Sequence, residues 1–315
     1  MRYFLLLSTV LLGFACNSNS SSSAEISTST STTLPAPDAI SLFGDSLYVS
    51  PPSEALMARY EARKSDYMQD STDADRLIWH GRFTAYIGDY DEAIKIYSRG
   101  IERFPNDARM YRHRGHRYIT IRKFDEAIAD FQKAASLIQG TENEVEPDGM
   151  PNARNIPVST LHGNIYYHLG LAYYLKQDMP AALEAYQKCL ASSNNNDNIV
   201  SSTHWLYMIS RRMDQPKQAN GYLEAISDTM DIIENMAYHK ACLFYKGQLK
   251  ESDLMNESGN APANDAIAYA LANWYNYNEQ AAEAEAAYTS LLQRGGWNSF
   301  GYIAAEADYF HMFKN

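Results

Sequence analysis

Three shortages close off whole classes of protein. The 315 residues include only 3 cysteines, too few for a disulfide framework. After residue 15 no apolar run approaches the roughly 20 residues that a membrane-crossing helix needs. Positive charge is also scarce: 27 Lys and Arg against 38 Asp and Glu give a formal charge of -11. That balance argues against a generic nucleic-acid binder, because a phosphate backbone draws net basic surface. Any anion site must therefore be local. Signatures of catalysis are missing as well. There is no Gly-x-Ser-x-Gly elbow, no Gly-rich phosphate loop and no Cys-protease motif, so no catalytic residue is assigned and the chain reads as a non-enzyme without cofactor. Aromatic residues, by contrast, are plentiful at 12%, with 24 Tyr, enough ring surface to bury and to make wholesale disorder untenable.

The first residues have a different character. Arg2 precedes an apolar run over residues 3–12 and small residues before Cys16, the layout of a secretory signal peptide. Leu12-Gly13-Phe14-Ala15-Cys16 resembles the lipobox of bacterial lipoproteins, with Leu12 one step further out than usual. The resemblance implies cleavage after residue 15 and acylation of Cys16, and several acyl chains on one Cys anchor a protein stably where one does not. Of residues 17–33, twelve are Ser or Thr, a composition that behaves as a tether. The expected organisation is thus a signal peptide over 1–15, a Ser/Thr-rich tether over 16–36 and a body in the cell envelope facing the periplasm or surface. Replacing Cys16 with Ser is expected to release the protein from membranes.

The body repeats itself. Residues 74–107 contain Gly81, Gly88-Asp89-Tyr90-Asp91-Glu92-Ala93-Ile94 and Tyr97, and 34 positions later residues 108–141 return Gly115, Phe124-Asp125-Glu126-Ala127-Ile128 and Phe131. A third copy begins near Gly163 with Gly170, Ala182 and Tyr186; weaker copies cover 200–227 and 265–292. This period and these anchors resemble the tetratricopeptide repeat (TPR), a helix-turn-helix unit. The resemblance implies an all-α superhelix of stacked helical hairpins, an α-solenoid, whose outer pairs need capping because a single repeat cannot bury its apolar face. Residues 37–72 are expected to hold a front cap over 53–69, and residues 73–315 the array, closed by a C-terminal capping helix over 299–313. Residues 232–245 read as one amphipathic helix ending at Gly247. A 21-residue excess separates Gly170 from Gly115 and defines an insert over 139–162 with Glu142, Glu144, Glu146, Asp148 and three Pro. A loop of that length is more often functional than a spacer. A lid over the groove, with its acids near the arginines, is the expectation.

The family resemblance also implies which positions line the concave wall. Carried over, they place Arg82, Arg109, Arg112, His116, Tyr167, Tyr174, His204, Arg211 and Arg212 there as ligand-binding residues, five Arg against Asp75 alone. Arginine forks and tyrosine tips suit an extended anionic peptide or partner protein. The plainer reading of the same arginines is solvated or internally paired surface, with self-occlusion by the insert. Ile78 and Arg82, then Arg112 and His116, stand where some relatives clamp a C-terminal carboxylate with Lys and Asn, so that specificity is not implied. Arg112→Glu is expected to weaken capture with little loss of stability. His113 and His116, three apart among Arg112, Arg114 and Arg117, do not make a metal site, since those charges repel a cation. Cys189 and Cys242 read as buried thiols. Two other functions are weighed: a cell-envelope carbohydrate or polymer binder using Tyr167, Tyr174, Trp205 and Trp274, and an enzyme using the insert acids and His116.

Overall fold

Each repeat folds as a hairpin because its first helix begins at a capping side chain and ends at a residue in the left-handed region. The computed structural model describes residues 36–259 and 261–313; the expected signal peptide, Cys16 and nearly all of the tether lie outside them. The helices are α1 (Glu54–Gln69), α2 (Ala74–Tyr86), α3 (Tyr90–Arg103), α4 (Ala108–Thr120), α5 (Phe124–Leu137), α6 (Leu161–Leu175), α7 (Met179–Ala191), α8 (Asn196–Arg212), α9 (Pro216–Tyr222), α10 (Met236–Tyr245), α11 (Asp265–Tyr277), α12 (Ala281–Leu292) and α13 (Phe300–Phe313). Two short strands, β1 (Ala39–Ile40) and β2 (Ser46–Leu47), pair antiparallel ahead of them. No helix among the described residues is long and apolar enough to cross a membrane.

Asp73, Asp107, Thr160 and Asn195 accept backbone N–H groups at the starts of α2, α4, α6 and α8, satisfying donors that a helix N-terminus leaves free. The turns inside the hairpins fall at Gly88, Arg122, Gln177, Asp214 and Glu279, all at positive φ. Non-glycine residues there cost about 1–2 kcal/mol each, so the fold enforces the turn. Asp214 fixes the register of the fourth copy without slippage. Gly247, at φ 72°, lies 33 residues after Asp214 and 32 before Glu279. Its position makes α10 the first helix of one more unit, whose returning helix has shrunk to the 3-10 turn at Glu251–Leu254. The sequence reading had α10 as a lone helix from residue 232. It starts four residues later because buried Asp197 accepts the N–H groups of Ile233, Glu234 and Asn235 at 3.0, 2.7 and 2.7 Å.

Within hairpins the glycine anchors meet aromatic rings. A Cβ on Gly81, Gly115 or Gly170 would come within 2.6, 2.9 and 2.6 Å of Tyr97, Phe131 and Tyr186. These rings, with Tyr288 and Ala93, Ala127, Ala182 and Ala284, are essentially inaccessible, as close packing of paired helices requires. At the front, α1 packs on α2 and buries no residue fully, which suits a cap.

The other end departs from expectation. Helix α13 packs on the last hairpin, α11 and α12, and beyond what a terminal cap requires it also reaches back to α6, with Ile303, Ala304, Ala305 and Ala307 wholly buried. A helix whose middle is buried all round cannot present a polar outer face there. It lies against the inner face, and its two acids find arginines there. Glu306 is paired with Arg122, and it also accepts the Leu42 N–H at 2.6 Å. Asp308 accepts from Arg212 at 2.7 Å, Tyr269 at 2.7 Å and Gln177 at 3.0 Å.

Candidate functional site

The inner wall is built from the first helix of each hairpin, and its front and rear portions end up in different surroundings. At the front, α2 contributes Arg82 and Tyr86, and α4 contributes Arg112, His113, His116 and Arg117. The insert crosses this face as an extended strap. Val145 and Thr160 form a bridge, Glu146 N–H donates to the Ser159 carbonyl at 2.9 Å and Leu161 N–H to that of Glu144 at 2.9 Å. Arg82 donates to the Pro147 carbonyl at 2.7 Å and Arg59 of α1 to that of Gly149 at 2.8 Å. Gly149 is needed where it stands, since a Cβ there would come 2.2 Å from the Tyr86 hydroxyl. At its far end, Asn152 donates to Glu234 at 2.6 Å and Arg154 pairs with Asp231 at 2.7 Å, so the strap runs from α1 and α2 to the loop before α10.

Under the strap, Glu146 is buried with its carboxylate 3.1 Å from Arg112 Nε and 3.5 Å from His113 Nε2, and Asn164 donates to it at 2.9 Å. Arg112 is itself buried, 8% exposed. Arg112→Glu would set a second carboxylate beside Glu146, so the structure argues for a marked loss of stability in place of the small one expected from the sequence. Burial, reinforced by Arg112, holds the His113 imidazole well below its ordinary range, and burial with Arg117 does the same to His116. Both are neutral at pH 7. The His116 ring lies 4.5 Å from that of His168 and 5.2 Å from Phe300 of α13, marking where the front wall meets the filled rear. Arg109 sits at the outer edge, bound to Asp107 at 2.6 Å and to Asp75.

Behind that line the predicted wall has become core. Tyr174 and His204 are 0% and 1% exposed, so neither faces an open groove. The Tyr174 hydroxyl accepts from Arg212 at 2.7 Å and from Asn273 at 2.8 Å, and Arg212 is consumed by Asp308. His204 lies between Tyr238 and Tyr245, with ring centroids at 4.8 and 5.9 Å, and burial pushes it down to about 3. Arg211 lies over the Tyr277 ring at 4.6 Å and donates to Asn278 at 2.8 Å. Tyr167 is partly accessible; its hydroxyl accepts from Trp205 at 2.8 Å and bonds Tyr238 at 3.0 Å. Trp205 is buried.

Two cavities remain on the inner face. One, of about 220 Å³, is lined by Tyr167, Tyr238, Phe300, Asn164, Asn198 and Glu234 among others, and the buried Asn198 Nδ2 has no hydrogen-bond partner among the described residues. The other, of about 100 Å³, is lined by Arg82, Tyr86, Tyr97, Arg112, His116 and Arg117, among others. Arg117, Asn198 and Tyr238 were not among the sequence-predicted site residues. The available signal for Arg117 was the cationic run Arg112-His113-Arg114 and His116-Arg117. Cys189 and Cys242 are free and buried. Among the described residues no cluster of three or more His, Cys, Asp or Glu is placed to hold a metal ion.

Comparison with known proteins agrees with the repeat geometry. No curated protein matches the sequence at a significant level. Among solved structures, the chain is similar to a tetratricopeptide repeat protein from Parabacteroides merdae, at 13% identity over 80% of this chain and 92% of that one, with a TM-score of 0.47. It is similar to YrrB, described as a TPR protein with an unusual peptide-binding site, at 16% identity over 79% and 98%, TM-score 0.42. MamA is similar at 17% identity over 62% and 92%, TM-score 0.42. Family models described as tetratricopeptide repeat match residues 85–141 and 163–196, which fall on α3 to α5 and on α6 with α7. Those two stretches are therefore tetratricopeptide repeats.

Proposed function

We propose that this chain is a non-catalytic protein-interaction scaffold that takes an extended acidic segment of a partner along the inner wall of α2 and α4. A lipidated Cys16 and the Ser/Thr tether hold it in the bacterial cell envelope. The observation that carries the reading is Glu146: a carboxylate on an extended strand of the chain itself is seated on Arg112 and His113. The strap thereby occupies the wall with the ligand class the wall suits, and a partner's acidic segment would replace it. Arg82, Arg112 and His116 remain the ligand-binding residues of this account. Arg109 flanks them, whereas Tyr174, His204 and Arg212 hold the interior. The commitment of Glu146 to Arg112 supports a non-catalytic role.

Full-length protein in detergent should bind an extended Glu-rich peptide, measured by fluorescence anisotropy. Glu146→Gln should tighten binding and Arg82→Glu weaken it. Equal affinities across the three would end the reading. Cys16→Ser should move the protein from the membrane to the soluble fraction; persistence in the membrane would end the anchor proposal.

A second reading, an envelope-polymer binder, is favoured by the 220 Å³ cavity, where Tyr167, Tyr238 and Phe300 offer rings and Asn198 and Glu234 offer polar groups. Its original support from Tyr174 and Trp205 is gone, because both are buried. Retention of the protein on isolated envelope polymer, lost in Asn198→Leu, would favour it.

A further inference from the structure

The smaller cavity holds a charge imbalance that the strap does not resolve. Arg82, Arg112 and Arg117 reach it from α2 and α4. Against these three guanidinium groups stands Glu146, which is engaged by Arg112 and His113. Arg82 has the neutral Pro147 carbonyl and lies over the Trp79 ring at 4.5 Å. Asp148 lies within electrostatic reach of Arg82; desolvation is the largest influence on it and raises its carboxyl above the ordinary range. Arg117 makes no hydrogen bond or ion pair through its guanidinium with any described residue; the Tyr90 ring lies 5.8 Å away.

An arginine does not relieve such a position by losing its proton, since its five N–H donors stay charged at any physiological pH. Arg117 is half-buried, and a charge partly withdrawn from water without a counter-ion is penalised, if less than a fully enclosed one. Desolvation is the largest influence and works against the charged form of Arg117; Tyr97, Tyr90 and Tyr86 favour the charged form, and nearby Arg112 opposes it. The surrounding side chains are the rings of Tyr86 and Tyr97 and the imidazoles of His113 and His116, none of which supplies negative charge at pH 7. The cavity volume of about 100 Å³ accepts a group of a few heavy atoms, given that one water takes about 30 Å³.

We propose that the cavity between α2 and α4 is a binding site for one tetrahedral oxyanion of phosphate or sulfate size, held chiefly by Arg117 with Arg82 and Arg112. A tetrahedral anion suits it better than a further carboxylate for two reasons. The donors converge from two helices rather than from one fork, and the three guanidinium groups, which outnumber the carboxylates of Glu146 and Asp148, offer more N–H donors than one carboxylate can accept. The oxyanion comes either free or as the phosphoryl group of a small ligand. The site does not rest on the scaffold proposal, because a free anion fills it with no partner bound.

The test is thermal unfolding of the full-length protein, with sodium phosphate titrated against sodium chloride at constant ionic strength. A parallel arm uses O-phosphoserine. The native protein should gain several degrees in Tm, saturably, as binding to the folded state requires. Arg117→Gln should gain none, and without phosphate it should be at least as stable as the native chain, because it removes an uncompensated charge. A response to O-phosphoserine assigns a carried phosphoryl group, and a response to inorganic phosphate alone assigns the free anion. No gain over chloride, or an equal gain in Arg117→Gln, overturns the site. Should Arg117→Gln fail to fold, calorimetric titration of phosphate into the native protein decides: saturable heat with millimolar or tighter affinity upholds the site, and its absence refutes it.

Discussion

The front and rear of the inner wall start from the same repeat positions and reach opposite ends. At the rear, α13 fills the space and its two carboxylates meet Arg122 and Arg212, so charge is matched and water is excluded. At the front, a strap with one seated carboxylate covers three arginines and leaves a cavity. The lesson is that a repeat position prescribes where a side chain points, whereas what covers it decides whether it becomes core or binding surface. Tyr174 and Arg82 are both first-helix wall residues by repeat register. One is sealed beneath α13 and the other faces a polar strap.

The comparison breaks hardest at α13. Asp308→Ala should lower unfolding stability by about 3–5 kcal/mol, the usual loss when one partner of a buried ion pair is removed, because Arg212 would stay enclosed without a carboxylate. Glu306→Ala should cost a similar amount through Arg122. Urea unfolding of the two variants checks this. Losses under about 1 kcal/mol, the range of exposed pairs, would mean that the rear is not sealed.

Next in size is acid sensitivity. Burial pushes both His168 and His204 down to about 3, whereas in the unfolded chain they titrate near 6.5. The unfolded state therefore takes up protons first. Stability is full above about pH 6.5 and declines as the pH falls toward 3, by about 2 kcal/mol per histidine between pH 7 and pH 5. Unfolding measured across that range should show the slope, and His204→Gln should reduce it. A flat profile would place these rings in water.

Smaller effects belong to the front. Glu146→Gln should cost about 1–3 kcal/mol, as loss of one buried charged acceptor does, and should leave α13 in place. At the outer edge, Arg109→Ala should change stability by less than about 1 kcal/mol, since its pairing with Asp75 and Asp107 is 37% exposed on the arginine side and screened by water. A loss at Arg109 equal to that at Asp308 would erase the distinction between edge and interior.

Much of the array was legible in the sequence because its anchors are local. Gly81 with Tyr97, and their counterparts 34 residues on, report a contact inside one hairpin, and the breaks at Gly88 and Gly247 mark turns directly. The hidden unit at α10 was legible in Gly247 but was missed, since its second helix has dwindled to one 3-10 turn. The strap was legible as a long acidic insert, and its seat on Arg112 was a reasonable guess from charge. The place of α13 was not legible. Its apolar character announces burial without naming the surface, and Glu306 and Asp308 meet arginines 184 and 96 residues earlier. For the same reason Tyr174, His204 and Arg212, wall residues by register, could not be told from binding residues before the helix that covers them was placed. Arg117 was passed over because the register used for the wall skips its position.

The most direct test of this divided wall is backbone hydrogen exchange in the full-length protein, resolved by segment. Residues 300–309 of α13 should exchange as slowly as α6 and α11, through global unfolding, while residues 143–157 of the strap exchange faster. Exchange in α13 as rapid as in the surface helix α1 would contradict the account.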